Sequence, residues 1–100
     1  MNGEDEKLPD LREAILDNAK LEALLRDIGM LATVDEIIVK DRPGRVPGQK
    51  IPLAEVQQLL MGGEIRGVQI RYRHDGAIWW DTLMCTAEGV KLVRIRHEMI

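Results

Sequence analysis

The run Gly67-Val68-Gln69-Ile70-Arg71-Tyr72-Arg73-His74-Asp75-Gly76-Ala77-Ile78-Trp79-Trp80-Asp81-Thr82-Leu83 decides the fold of this chain. Before His74-Asp75-Gly76, Val68, Ile70 and Tyr72 alternate with Gln69, Arg71 and Arg73, the two-residue period of a half-buried strand, and after it Ile78-Trp79-Trp80 is β-branched and aromatic. His-Asp-Gly is turn chemistry, because Asp and Gly tolerate the positive φ that a tight hairpin demands. A third run at 90–99 follows the turn Thr86-Ala87-Glu88-Gly89. Residues 65–73, 77–84 and 90–99 therefore read as three consecutive antiparallel strands, a β-meander.

Two registers compete at the first turn. A two-residue Asp75-Gly76 loop pairs Tyr72 with Trp79 and Ile70 with Asp81, which sets an acid among apolar side chains. A three-residue His74-Asp75-Gly76 loop, with Gly76 as a left-handed bulge, pairs Tyr72 with Ile78 and Ile70 with Trp80. A slip of one residue turns every side chain to the other face, so the hydrophobic pattern is the natural arbiter. It favours the three-residue loop, with Val68, Ile70, Tyr72, Ile78 and Trp80 on one apolar face. The second turn sets Ile95 opposite Trp80 and Val93 opposite Thr82, on that same face. The other face then carries Gln69, Arg71, Trp79, Asp81, Leu83, Leu92, Arg94 and Arg96, with Trp79 between Arg71 and Arg96 and Asp81 opposite Arg94.

Upstream of the meander the period changes. Asp10-Leu11-Arg12-Glu13 has capping-box spacing, and Leu11, Ile15, Leu21, Leu25 and Ile28 recur near a 3.6-residue period, which predicts a helix opening at Asp10 and closing at Gly29. Residues 33–41 contain Ile37-Ile38-Val39 and read as a strand. Residues 42–50 hold two Pro-Gly pairs and read as a loop, with Arg42, Arg45 and Lys50 available to an anionic partner. Pro52 to Met61 reads as a short helix that Gly62-Gly63 ends, with Leu53, Val56, Leu59 and Leu60 on its apolar face. The expected fold is thus α+β, with two helices packed on one face of a mainly antiparallel sheet in the order α-β-α-β-β-β. The helices are expected on the face of Ile70, Trp80 and Ile95. Residues 1–9 are expected to form a disordered tail and 10–100 a single domain.

Composition narrows the function classes. With 45% apolar and 31% charged residues, the 100-residue chain carries enough apolar surface for one core, which excludes a disordered polymer. A single cysteine, Cys85, excludes an internal disulfide and favours a reducing, cytoplasmic setting. No apolar run approaches the ~20 residues of a membrane span, and the acidic start lacks the apolar core of a secretory signal. The net charge of -3 hides an asymmetry: residues 1–41 hold 5 basic and 11 acidic groups, and residues 42–100 hold 9 and 6. Mutual neutralisation inside one molecule is the simplest account of it.

The chemistry-bearing residues point away from catalysis. Serine is absent, so serine-nucleophile hydrolysis is excluded. Cys85 lies a strand length, over ~20 Å, from His74 and His97, too far for a thiolate–imidazole dyad. There is no phosphate-cradling loop of the GxxxxGK[ST] kind, and no recognition helix precedes the hairpin as a winged helix would require. No cofactor is implied.

What remains is a cluster of Arg71, Arg73, Trp79, Asp81, Arg94 and Arg96 on the outer sheet face. Tryptophan and arginine are the residues that anchor protein interfaces, so the expected function is a small non-enzymatic accessory domain that binds a protein partner. Aromatic and basic residues interleaved on a sheet also suit single-stranded nucleic acid, which is one alternative. A metal or small-ligand site at the rim of His74 and His97 is another, although their spacing fits no metal motif. No membrane partner is expected.

Overall fold

The computed structural model describes residues 10–40 and 51–98. The tail expected at 1–9 and the Arg42, Arg45 and Lys50 loop lie outside the described residues. Seven elements follow in the order β1 (Asp10–Leu16), α1 (Asn18–Leu31), β2 (Thr33–Lys40), α2 (Leu53–Met61), β3 (Gly67–His74), β4 (Ala77–Thr86) and β5 (Gly89–Glu98). The strands form one antiparallel sheet in the order β1-β5-β4-β3-β2. Four successive antiparallel pairings leave β1 and β2 parallel to each other on opposite edges, so α1 crosses the sheet between them. The fold is α+β with both helices on one face, as expected, but a strand precedes the first helix and the order becomes β-α-β-α-β-β-β.

The expected helix start at Asp10 is therefore corrected. Asp17, not Asp10, caps α1, its Oδ1 accepting from the Lys20 backbone N–H at 2.8 Å. Asp10–Leu16 is instead recruited as a strand by pairing along β5, from Asp10 opposite Arg96 to Leu16 opposite Val90. The helix also outruns its expected end: it continues to Leu31, and Gly29 lies within it. There a Cβ would stand 3.2 Å from Leu53 Cδ2, so the missing side chain lets the two helices approach. Leu21, Leu25 and Ile28 of α1 and Val56 and Leu60 of α2 recur at spacings of three or four and are buried. They pack on Val68, Ile70, Leu83, Val90 and Leu92 of the sheet.

The second correction is the register of the first hairpin. Tyr72 pairs with Trp79 and Ile70 with Asp81, so the loop is the two-residue Asp75-Gly76. Both central residues have positive φ, 56° and 76°, as a type I′ turn requires. The second hairpin keeps its expected register, with Trp80 opposite Ile95 and Thr82 opposite Val93. Because only one hairpin slips, β4 and β5 turn together relative to β3. Trp80 and Ile95 leave the helix-covered face for the open one, and Asp81 joins Ile70 beneath the helices.

Among the described residues no helix is long and apolar enough to cross a membrane.

Candidate functional site

Alternation along the strands divides the expected cluster in two. Trp79, Asp81, Arg94 and Arg96 lie on the helix-covered face, whereas Arg71 and Arg73 lie on the open face. The structure joins Trp79 to Arg94 and Arg96, whose guanidinium carbons each stand 5.7 Å from its ring centroid, and it keeps the expected Asp81–Arg94 pair. It does not bring Arg71 to Trp79.

The covered face holds a buried polar triad. Asp81 is 0% exposed. Arg94 donates to both of its oxygens, from Nε to Oδ1 at 2.9 Å and from Nη2 to Oδ2 at 2.8 Å. The Tyr72 hydroxyl donates to Oδ2 at 2.9 Å. A carboxylate is stable there because two-pronged guanidinium bonding replaces water on both oxygens. The hydrogen bond to Asp81 also holds the Arg94 guanidinium above its usual pKa. Burial, reinforced by the Asp81 charge, pushes the Tyr72 phenol well above its usual value. The Trp79 ring stacks on Tyr72 at 6.5 Å between centroids and 9° between planes, and its Nε1–H donates to the His74 carbonyl oxygen at 3.0 Å. Both Asp81 oxygens, the Tyr72 hydroxyl and the Trp79 N–H are engaged within the molecule, so the triad reads as structure. Arg96 pairs with Glu98 near the strand end.

The open face is organised around Trp80, on the central strand of the sheet. The Arg71 guanidinium carbon stands 4.1 Å from the Trp80 ring centroid, within cation–π range. The His97 ring meets Trp80 from the next strand, with centroids 4.4 Å apart and planes at 51°. Arg71 Nε donates to Gln69 Oε1 at 2.8 Å, and Gln69 Nε2 donates to Thr82 Oγ1 at 3.1 Å, so a polar thread fixes the cation over the ring. Ile78, Val93, Ile95 and Ile15 share this face with Trp80, and Ile15 is 47% exposed. The cations beside them already have acids: Arg71 faces Glu36 at 3.6 Å, Arg73 holds Asp35 at 2.9 Å and Lys91 faces Glu13 at 3.9 Å. The bulge in β2 between Val34 and Glu36 makes this possible, because it sets Glu36 opposite Arg71 and frees Asp35 to reach Arg73.

Trp80, with the rest of β4 and β5, lies on the face opposite to the one the sequence predicts. Asp75-Gly76 is a strong short hairpin signal, and the penalty for burying Asp81 outweighs it when the sequence is read alone.

The remaining candidates separate as well. His74 and His97 sit at one end of the meander but on opposite faces. His74 Nδ1 is 3.1 Å from the Leu31 carbonyl oxygen, while His97 packs on Trp80. The two side chains of the expected rim site therefore lie on opposite faces of the sheet. Among the described residues no three metal-ligating side chains converge. Cys85 is exposed at the far end, its thiol directed to the carbonyl oxygens of Leu60 and Ile65.

Comparison with family models, with curated proteins and with solved structures found no match for this chain.

Proposed function

We propose that this chain is a small non-catalytic accessory domain that binds a protein partner through its open sheet face, with Trp80 as the anchor. The observation that carries the reading is the band of Trp80, Ile78, Val93, Ile95 and Ile15 on the side of the sheet opposite both helices. Apolar side chains contiguous on one face, rimmed by charged pairs, are the composition of a protein interface core and rim. The anchor passes from Trp79 to Trp80, because Trp79 packs against the core. Arg71 and Arg73 stay in the proposed site, and Asp81, Arg94 and Arg96 leave it.

Charge favours protein over nucleic acid at this face. A phosphate backbone needs cations that are free to replace counterions, and Arg71, Arg73 and Lys91 are each beside a carboxylate. The test is affinity capture by the full chain in the presence of nuclease, comparing wild type with Trp80→Ala. Protein retained by wild type and lost with Trp80→Ala, at a melting temperature within a few degrees of wild type, supports the reading. Nucleic acid released by moderate salt, or capture unchanged by Trp80→Ala, overturns it.

A further inference from the structure

We infer that the partner of the open face is a second copy of this chain, the two sheets packing face to face about a two-fold axis near Trp80. The inference rests on reading that face as a docking surface and goes further by naming the occupant.

Three observations single out a second copy. The first is charge. In a two-fold contact each charge meets a group from elsewhere on the same face, so a face of one sign repels its copy. Here the acids and bases alternate and are matched in place, Glu13 with Lys91, Glu36 with Arg71 and Asp35 with Arg73. The face presents little net charge of either sign to its duplicate.

The second is area. Five strands spaced about 4.8 Å apart and about eight residues long at ~3.3 Å each give a footprint of roughly 24 by 27 Å, about 650 Å². Two such faces cover about 1,300 Å² together, inside the ~1,200–2,000 Å² range of stable interfaces and near its lower limit.

The third is the contrast with the sheet edges. The β2 edge is broken by its bulge, and the β1 edge carries Arg12 and Glu13 on opposite sides of the strand. Both are devices that discourage strand-to-strand addition. The edges are guarded against self-association while the face is left apolar, and Trp80 stands on the central strand, where a two-fold axis brings it nearest its counterpart.

The experiment is sedimentation equilibrium of the full chain from low micromolar to several hundred micromolar. It is run on wild type, Ile95→Lys, Ile95→Glu and an equimolar mixture of the two variants. Wild type is expected to move from 11.3 kDa toward twice that mass as concentration rises. Each variant alone should dimerise on the order of a hundredfold more weakly, because like charges meet at the axis. The mixture should regain the dimer, since Lys then faces Glu. Should either Ile95 variant fail to fold by circular dichroism, Ile15→Lys at the exposed edge of the same face takes its place and should weaken the dimer likewise. A wild type that stays monomeric throughout overturns the inference, and so does a dimer that folded variants leave intact. Trp80-dependent capture of a different protein by a monomeric wild type would sink the dimer alone and leave the docking reading standing. Loss of both would sink the two together.

Discussion

Asp81→Asn is the substitution that weighs the buried triad. It keeps the size of the side chain and removes the charge that Arg94 and Tyr72 surround. Removing one partner of a buried ion pair costs about 3–5 kcal/mol, because the other charge stays behind without compensation. Asp81 is fully buried and the Arg94 side chain is 24% exposed, so part of the guanidinium regains water and the lower end applies, about 3 kcal/mol. A domain of this size has about 5–15 kcal/mol in total, and each kcal/mol moves its melting temperature by about 4–8 °C. The variant should therefore melt some 12–24 °C lower, by the same scaling. Denaturant unfolding followed by both circular dichroism and tryptophan fluorescence measures the cost. Arg94→Met then completes a double-mutant cycle that isolates the pair, and the doubly apolar Asp81→Leu, Arg94→Met chain should recover most of the loss. A cost below about 1 kcal/mol, the level of an ordinary surface substitution, would refute the reasoning and with it the two-residue turn. In the three-residue register Asp81 points to solvent, and its removal changes almost nothing.

Tyr72 is the only tyrosine, so phenolate absorbance reports that group alone. Its folded pKa lies above its usual value of 10.0, so its contribution is fully present below pH 10 and is lost as pH rises through the folded pKa. No phenolate should form before the chain unfolds, and stability should fall above pH 10 by about 1.4 kcal/mol per pH unit from this group, a slope that Tyr72→Phe removes. Phenolate appearing near pH 10 in folded protein would contradict the buried hydrogen bond. Gly76→Ala should cost about 1–2 kcal/mol by denaturant titration, since φ is 76° there and a Cβ crowds the left-handed region. Asp75→Asn should stay within ~0.5 kcal/mol, because Asn accepts the same conformation. Gly67→Ala should cost about 1–3 kcal/mol, as the added methyl collides with Met84 Sδ and comes within 2.8 Å of the Leu83 carbonyl oxygen.

Which parts of the fold were legible follows from what each signal depends on. The meander, the second helix and the second hairpin register rest on local turn residues and period, and these appear as read. β1 does not, because Asp10-Leu11-Arg12-Glu13-Ala14-Ile15-Leu16 is rich in good helix formers and opens with a capping pattern. Its strand state comes from pairing with β5, some eighty residues away, and tertiary contact overrides propensity. The first register failed for a related reason. The rule against a buried acid presumes an acid without partners, yet Asp81 has Arg94 beside it and Tyr72 across the sheet. Arg94 was already legible as its neighbour; counting that pair as compensation would have returned the two-residue loop and placed Trp80 outward.

The order β1-β5-β4-β3-β2 also bears on how the chain is made. Among the described strands β1 leaves the ribosome first, and its one neighbour there is β5, which follows the other four. Until β5 has left the ribosome, the hydrogen-bonding groups of β1 have no native mate in this sheet, while β2, β3 and β4 can already associate. Docking β1 is thus a closure over about eighty residues, and such distant contacts form slowly. The same adjacency sets Asp10 opposite Arg96, so a short linker from Glu98 to Asp10 would turn β5 and β1 into a hairpin, and a chain opened at Ala87-Glu88 should fold to the same sheet.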